Sequence, residues 1–117
     1  MPPVTADPDC LFCKIVAGDI PADMVYRGDR VVAFRDIKPA APTHILVVPV
    51  DHHPDVVQLA AQDEPLLTEL VTVAGEIAKA EAGGEFRLLF NTGAGAGQTV
   101  FHVHGHVLAG QIQGLAG

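Results

Sequence analysis

The sequence of 117 residues contains no tryptophan, and only seven Lys and Arg stand against fourteen Asp and Glu. The net charge of −7 disfavours a nucleic-acid partner, because binding a polyanion requires many contacts between phosphates and basic side chains. No uninterrupted apolar segment approaches the roughly 20 residues that span a bilayer, and the N-terminus lacks the basic start and apolar core of a signal peptide. We therefore expect a soluble, cytoplasmic protein with neither a membrane nor a nucleic acid as partner.

The length predicts one domain covering residues 1–117, because a chain of this size builds a single core. Apolar residues make up 49% of the chain and charged residues 18%, which excludes a disordered protein. Neither a repeat nor a linker is visible. Residues 1–8 are predicted to form a flexible N-terminus, and residues 111–117 a C-terminal tail.

The order of the predicted elements indicates an α+β fold, with an antiparallel sheet of about five strands, one long helix and a short N-terminal helix. Strand and helix boundaries follow from apolar periodicity and from the Gly and Pro positions that interrupt it. The predicted helices are 9–16, with Asp9 as N-cap, and 63–82; the predicted strands are 24–27, 31–36, 44–48, 86–90 and the histidine-containing segment after the loop 91–97.

The segment GQTVFHVHGHVL places His102, His104 and His106 at two-residue spacing in an apolar frame. In a strand, these three side chains would project from the same face. A single histidine is more often structural, but neighbouring imidazoles oppose each other's protonation and so remain neutral near pH 7. The three histidines therefore indicate nucleophiles, proton carriers or metal ligands.

The glycine-rich loop before the histidines does not match the dinucleotide-binding pattern, because its glycines have the wrong spacing and no helix follows. It is either a mobile hairpin loop or a backbone nest that binds a phosphate next to Gln98 and Thr99. Asp36 is likewise either an ordinary turn residue or a carboxylate that accepts hydrogen bonds from a ribose.

Cys10 and Cys13 form a C-x-x-C pair that is compatible with small apolar core residues, a redox pair or half of a metal site. A structural disulfide is not expected in the cytoplasm. A closed zinc site needs two further ligands, for which His52, His53 and His102 are candidates. Exposed loop residues are the default interpretation of His52 and His53, most strongly of His53.

Three segments together resemble the Hint branch of the histidine triad family. The signature of that family is three histidines separated by single apolar residues, with two further apolar residues after the third histidine. The three segments are CLFCKIVAGDIPA at 10–22, VAFRDIKPAAPTHILVVP at 32–49 and FNTGAGAGQTVFHVHGHVLAG at 90–110. The resemblance covers roughly residues 9–110. The C-x-x-C pair is similar to that of bacterial relatives.

The resemblance implies a symmetric homodimer whose sheet continues across the two-fold axis, and hydrolysis or transfer of purine nucleotides, usually phosphoramidates. By position, His104 is the nucleophile, His106 and His44 hold the phosphate, and His102 completes the catalytic group. It also implies a structural zinc ion on Cys10, Cys13, His52 and His102, with no organic cofactor. The residues implied to bind substrate are Phe34, Asp36, Ile37, Asn91, Gly97, Gln98, Thr99 and Val100.

Two departures from the family pattern limit this transfer. Gly105 stands where relatives have a larger apolar residue, so we expect looser packing behind His104. The tail lacks an aromatic residue, so tail-dependent preference for a leaving group does not carry over. Two alternatives also stay open: a zinc-dependent hydrolase with its catalytic metal on His102, His104 and another histidine, and a nucleotide-binding regulatory module with residual activity.

Overall fold

A computed structural model of the protein describes residues 7–112, so most of the predicted N-terminus 1–8 and tail 111–117 lies outside the described residues. The five strands form one antiparallel sheet in the order β1-β2-β3-β5-β4, and the predicted α+β class is confirmed. The elements are α1 Leu11–Ala17, β1 Met24–Arg27, β2 Val31–Arg35, β3 Thr43–Pro49, α2 Val56–Gln62, α3 Glu64–Ala82, β4 Arg87–Leu89, a 3-10 turn Ala94–Ala96 and β5 Gly105–Ala109.

The sheet buries both faces, one under α3 and the other under α1. Alternation along β2 and β3 divides the apolar side chains between the two faces. The α3 side buries Val31, Ala33, Ile45, Val47, Leu66, Leu70, Ala74 and Val107, and the α1 side buries Phe12, Ile15, Val32, Phe34, Leu46 and Val48. Among residues 7–112, none of the helices combines the length and apolar character needed to cross a bilayer.

The first helix begins one residue later than a cap at Asp9 would place it. Cys10 is the N-cap, and its Sγ accepts a hydrogen bond from the Cys13 N–H at 3.4 Å. Gly18 ends the helix in the left-handed conformation, with φ of 85°. This one turn between cap and third helical residue brings both thiols to the same end of α1.

The long helix agrees with the prediction for residues 63–82, with Asp63 as N-cap and Gly83 as C-cap. Helix α2 was not predicted. Asp55 caps it by accepting a hydrogen bond from the Gln58 N–H at 2.9 Å, but its seven residues bury only Leu59. A helix this short, with one buried residue, shows no apolar periodicity from which it could be predicted.

The prediction that all three histidines lie in one strand is wrong, because β5 begins only at Gly105. The β3–β5 register pairs Val47 with Gly105 and would therefore set Val103 opposite Pro49. Proline has no N–H to extend the ladder, and the Val103 N–H instead donates to the His53 carbonyl at 2.7 Å. His102 and His104 thus lie in an extended segment before the strand.

The expected looseness behind His104 is also wrong. A Cβ placed on Gly105 would lie 2.9 Å from Leu88 Cδ1 and 3.1 Å from Phe90 Cε2 and Cζ. The Phe90 ring and the Leu88 side chain therefore already occupy the space that a larger residue at 105 would need.

Candidate active site and metal centre

A cavity of about 430 Å³ opens on the α1 side of the sheet, within the range usual for small-molecule sites. Its apolar wall includes Phe12, Phe34 and Leu46. Its polar lining includes Asp36, Thr99, His104 and His106. This combination of an apolar wall and converging polar groups suits a ligand with a flat hydrophobic part and a charged part.

His104 presents a nucleophilic nitrogen. Its Nδ1 lies 2.8 Å from the His102 carbonyl oxygen, and because that oxygen can only accept, Nδ1 carries the proton and Nε2 keeps a lone pair. The Phe12 ring packs edge-on against the imidazole at 4.9 Å between centroids. Burial lowers the pKa of His104 below its usual value of 6.5, so the imidazole is neutral at pH 7.

His44 and His106 form a hydrogen-bonded pair, here called the relay. One backbone N–H, that of Ala40, determines which ring nitrogen carries the proton in each imidazole. The Ala40 N–H donates to His44 Nδ1 at 3.0 Å, so Nε2 of His44 carries the proton. That nitrogen donates to His106 Nδ1 at 2.9 Å. The proton of His106 therefore lies on Nε2, a buried atom that has no hydrogen-bond partner among residues 7–112.

Burial is also the main cause of low proton affinity in this pair. It lowers the pKa of His106 to about 4, with His104 and His44 adding repulsion. It lowers the pKa of His44 as well, although the carboxylate of Asp36, 3.5 Å from His44 Nε2, acts in the opposite direction. Both imidazoles are neutral donors at pH 7, and the neighbouring His104 is neutral as well.

Four side chains converge behind this relay and include both cysteines. His102 Nδ1 lies 3.4 Å from Cys10 Sγ, 3.4 Å from Cys13 Sγ and 3.2 Å from His52 Nδ1. His102 Nε2 donates to the Pro49 carbonyl at 2.8 Å, so the Nδ1 lone pair faces the two sulfurs. Cys10, Cys13 and His102 are buried, and His52 is partly buried.

This donor set fits a tetrahedral zinc ion. Bonds of about 2.0 Å to nitrogen and 2.3 Å to sulfur place the nitrogens about 3.3 Å apart and each sulfur about 3.5 Å from a nitrogen, close to the separations of 3.2 and 3.4 Å. Burial raises the pKa of the Cys13 thiol to about 11. A bound divalent cation would offset this cost by stabilising the thiolate.

The family model described as "Scavenger mRNA decapping enzyme C-term binding" matches residues 9–116. A relative named Protein HitA, from Neisseria gonorrhoeae, is 45% identical over 101 residues, which cover 86% of this chain and 94% of HitA. The purine nucleoside phosphoramidase of Escherichia coli K12 is 44% identical over 108 residues, 91% of each chain.

Solved structures agree with these relatives. A histidine triad protein from Clostridium difficile has a TM-score of 0.88 and 38% identity, covering 97% of this chain and all of its own. A HIT family hydrolase from Legionella pneumophila has a TM-score of 0.84 and 43% identity, covering 88% and 94%. The chain belongs to the histidine triad family.

In this histidine triad protein, five of the residues predicted to bind substrate line the cavity: Phe34, Asp36, Ile37, Thr99 and Val100. Ile37 is 93% exposed and lies at the rim. Asp36 is the turn residue considered for it, since its Oδ1 accepts the Lys38 N–H at 2.8 Å, and its Oδ2 lies 3.5 Å from His44 Nε2 at the cavity. Asn91, Gly97 and Gln98 are not in the cavity lining.

Gln98 of the histidine triad protein holds the glycine-rich loop in place. Its side chain is buried, Oε1 accepts the Gly93 N–H at 2.8 Å, and Nε2 donates to the carbonyls of Pro54 at 2.7 Å and Val100 at 3.0 Å. The N–H of Gln98 is also bonded within the loop, to the Gly93 carbonyl. Gln98 therefore shapes the segment carrying Thr99 and Val100.

His53 was expected to be exposed and is instead 3% exposed. Its Nδ1 lies 3.1 Å from Gln62 Oε1, and its carbonyl accepts the Val103 N–H. His53 is followed by Pro54 and Asp55 and then by α2, which was not predicted. Nothing in this local sequence indicates that His53 is buried. Sequence reasoning also missed Phe12, whose spacing from Ile15 indicates a buried helix face but not that His104 lies against it.

Proposed function

We propose that this protein hydrolyses purine nucleoside phosphoramidates through a covalent nucleotidyl intermediate on His104. The observation that carries the proposal is the orientation of His104, whose Nδ1 is bound to the His102 carbonyl while Nε2 keeps its lone pair. The name of the Escherichia coli relative, purine nucleoside phosphoramidase, supports the substrate class. The size and apolar wall of the cavity suit a nucleoside monophosphate.

In the first step, the lone pair of His104 Nε2 attacks the α-phosphorus, and the phosphorus–nitrogen bond to the amine breaks. The departing nitrogen takes a proton and leaves as the amine. In the second step, water attacks the same phosphorus, the bond to His104 breaks, and the nucleoside 5′-monophosphate leaves. The electrons of the broken bond return to His104 Nε2, which leaves the imidazole neutral, and the proton released by the attacking water balances the proton taken by the amine.

Charge that develops on the phosphate oxygens needs donors already in place. The Nε2–H of His106 is such a donor, because it lacks a partner among residues 7–112 and belongs to a cavity-lining residue. His44 supports it by donating to His106 Nδ1. Thr99 lines the same cavity, and its hydroxyl would be a further donor for the phosphate or for the leaving nitrogen.

We propose a structural zinc ion on Cys10, Cys13, His52 and His102. Bound there, zinc supplies a four-way cross-link and no reaction chemistry. It would tie the start of α1 to the histidine segment, where the His102 carbonyl orients the nucleophile. No organic cofactor is needed for the two displacements.

A catalytic-zinc hydrolase is the less favoured alternative. That mechanism requires His102 and His104 to share a metal, but no group of metal-ligating side chains within residues 7–112 contains His104. His102 instead directs Nδ1 towards the cysteines. A regulatory module with residual activity remains the other alternative and is tested below.

We also propose that the protein is a cytoplasmic homodimer with a sheet continuous across the two-fold axis. Strand β4 supports this assembly because it is an edge strand of the sheet and could pair with its counterpart. Sedimentation velocity at several concentrations would check the dimer, and a monomer throughout would contradict it.

The decisive experiment is intact-mass analysis within milliseconds to seconds of mixing with an adenosine 5′-phosphoramidate, together with steady-state amine release. Wild type is compared with His104→Ala, and His53→Asn serves as a buried-histidine control away from the cavity. We expect turnover and a transient adenylyl adduct in wild type and in the control, and neither in His104→Ala. Binding without an adduct or turnover in wild type would favour the regulatory module.

A further inference from the structure

A second cavity, of about 540 Å³, adjoins the first one. Leu11, Thr99 and Val100 line both cavities and form the ridge between them. The mechanism proposed above assigns the first cavity to the nucleotide and leaves the second cavity without a role.

The second cavity combines negative charge with apolar walls. Within residues 7–112, its lining includes Asp7 and Asp9 beside the proposed zinc ligands Cys10 and His52, and contains no Lys or Arg. Asp7 Oδ1 accepts the Asp9 N–H at 2.9 Å, which leaves its second oxygen available to a ligand. Leu11 and Phe101 are 45% and 50% exposed beside these carboxylates. Exposed apolar groups next to carboxylates complement an alkyl chain that ends in a cation.

The position of the cavity relative to the chemistry indicates what would bind there. In an in-line displacement, the leaving group departs on the side of phosphorus opposite the attacking nitrogen. The nucleoside and the phosphate occupy the His104 side in the proposed mechanism. The leaving amine then lies beyond the phosphate. Thr99, which the proposed mechanism gives as a donor for the leaving nitrogen, lines both cavities and thus connects this position to the second cavity.

We propose that the second cavity is a leaving-group subsite for alkyl amines that carry a second, protonated amino group. This inference rests on the proposed phosphoramidase function. The bond that breaks is the phosphorus–nitrogen bond, and the departing nitrogen takes one proton, while the distal ammonium keeps its charge throughout. Asp7 and Asp9 attract that ammonium equally before and during the reaction, so the subsite lowers KM and leaves kcat nearly unchanged.

The test compares two adenosine 5′-phosphoramidates of nearly identical shape, made from 1,5-diaminopentane and from n-hexylamine. The ratio of their kcat/KM values is measured for wild type, for Asp7→Asn/Asp9→Asn, and for Asp29→Asn, an exposed carboxylate outside both cavities. Because a ratio is taken within each variant, general losses of activity cancel. Zinc content is measured alongside.

We expect wild type and Asp29→Asn to favour the diamine substrate about fivefold at low salt, from two partly exposed charge contacts. The preference lies in KM, weakens as salt is raised, and falls to about one in the double variant. If the double variant loses zinc, Asp7→Asn alone is used in its place. This single variant should lose about half of the free-energy difference that corresponds to the diamine preference.

Two results would overturn the subsite and leave the proposed function intact: a wild-type ratio near one, or the wild-type ratio retained in the double variant. Failure of wild type to turn over either substrate would instead refute the phosphoramidase function, and the subsite with it.

Discussion

Replacing Gly105 by alanine should destabilise the protein, although the residue lies in a strand, where glycine is ordinarily the weaker choice. The new Cβ would stand 2.9 Å from Leu88 Cδ1 and 3.1 Å from two atoms of the Phe90 ring. The Leu88 methyl can rotate away. The ring is packed against the α3-side core and must shift as a unit.

The expected loss follows from two opposing effects. Overpacking a filled site costs about 1–3 kcal/mol, and replacing glycine returns about 0.5–1 kcal/mol by restricting the unfolded chain. The free energy of unfolding should therefore fall by about 1 kcal/mol. Gly75 is the matched control, because it lies within α3 and has no atom within 4 Å of a built Cβ. Gly75→Ala should stabilise the protein by about 0.5–1 kcal/mol.

Urea unfolding followed by far-UV circular dichroism is the suitable assay, since the chain has no Trp and one Tyr. All variants are compared at one protein concentration, because self-association would add to apparent stability. Phe90→Leu removes the ring edge, so the cost of Gly105→Ala should shrink by about 1 kcal/mol in that background. An unchanged cost in the Phe90→Leu background, or a Gly105→Ala variant as stable as wild type, would refute the packing explanation.

Cys10→Ser should lower bound zinc from about one ion per chain to well below one and reduce the melting temperature; metal analysis showing equal zinc would contradict the four-ligand site. Gln98→Ala removes the buried amide that bonds three backbone groups. We expect the free energy of unfolding to fall by about 2–3 kcal/mol and hydrogen exchange at the Gly93 amide to become faster. Unchanged exchange would contradict the role of Gln98 in holding the loop. The pKa of His106 is about 4 in the folded chain and 6.5 in its ordinary state. Between these values the unfolded chain takes up this proton and the folded chain does not, so the contribution of His106 to stability should be constant above pH 6.5 and decrease as pH falls to about 4. Burial lowers the pKa values of His44 and His104 too, so His106→Phe should reduce the decrease in a pH series of unfolding experiments, and an unaltered slope would argue against burial of a neutral His106.

Several features followed from local sequence patterns because the physics behind them is local. The three- and four-residue spacing of apolar residues fixed α3, and Asp63 and Gly83 bounded it. The two-residue alternation in β3 and the proline at its end placed that strand. The C-x-x-C spacing likewise indicated a candidate metal pair, since one helical turn brings the two thiols together.

Other features depended on contacts that spacing does not encode. The start of β5 was set by Pro49 on a neighbouring strand, not by any residue of the histidine segment. The burial of His53 depended on Gln62 and Val103. The filling of the space behind Gly105 depended on Leu88 and Phe90. Each requires knowing which distant segments pack against each other.

The division of work among the histidines shows this limit most clearly. By itself, the sequence determined that three imidazoles stand close together, because alternation along an extended chain guarantees it. Only the tertiary structure decided that His102 faces the cysteines, that His104 keeps its lone pair on Nε2, and that His106 carries its proton on Nε2. Each imidazole's tautomer is set by a hydrogen-bond partner, and two of those partners, the Pro49 carbonyl and His44, come from a distant strand.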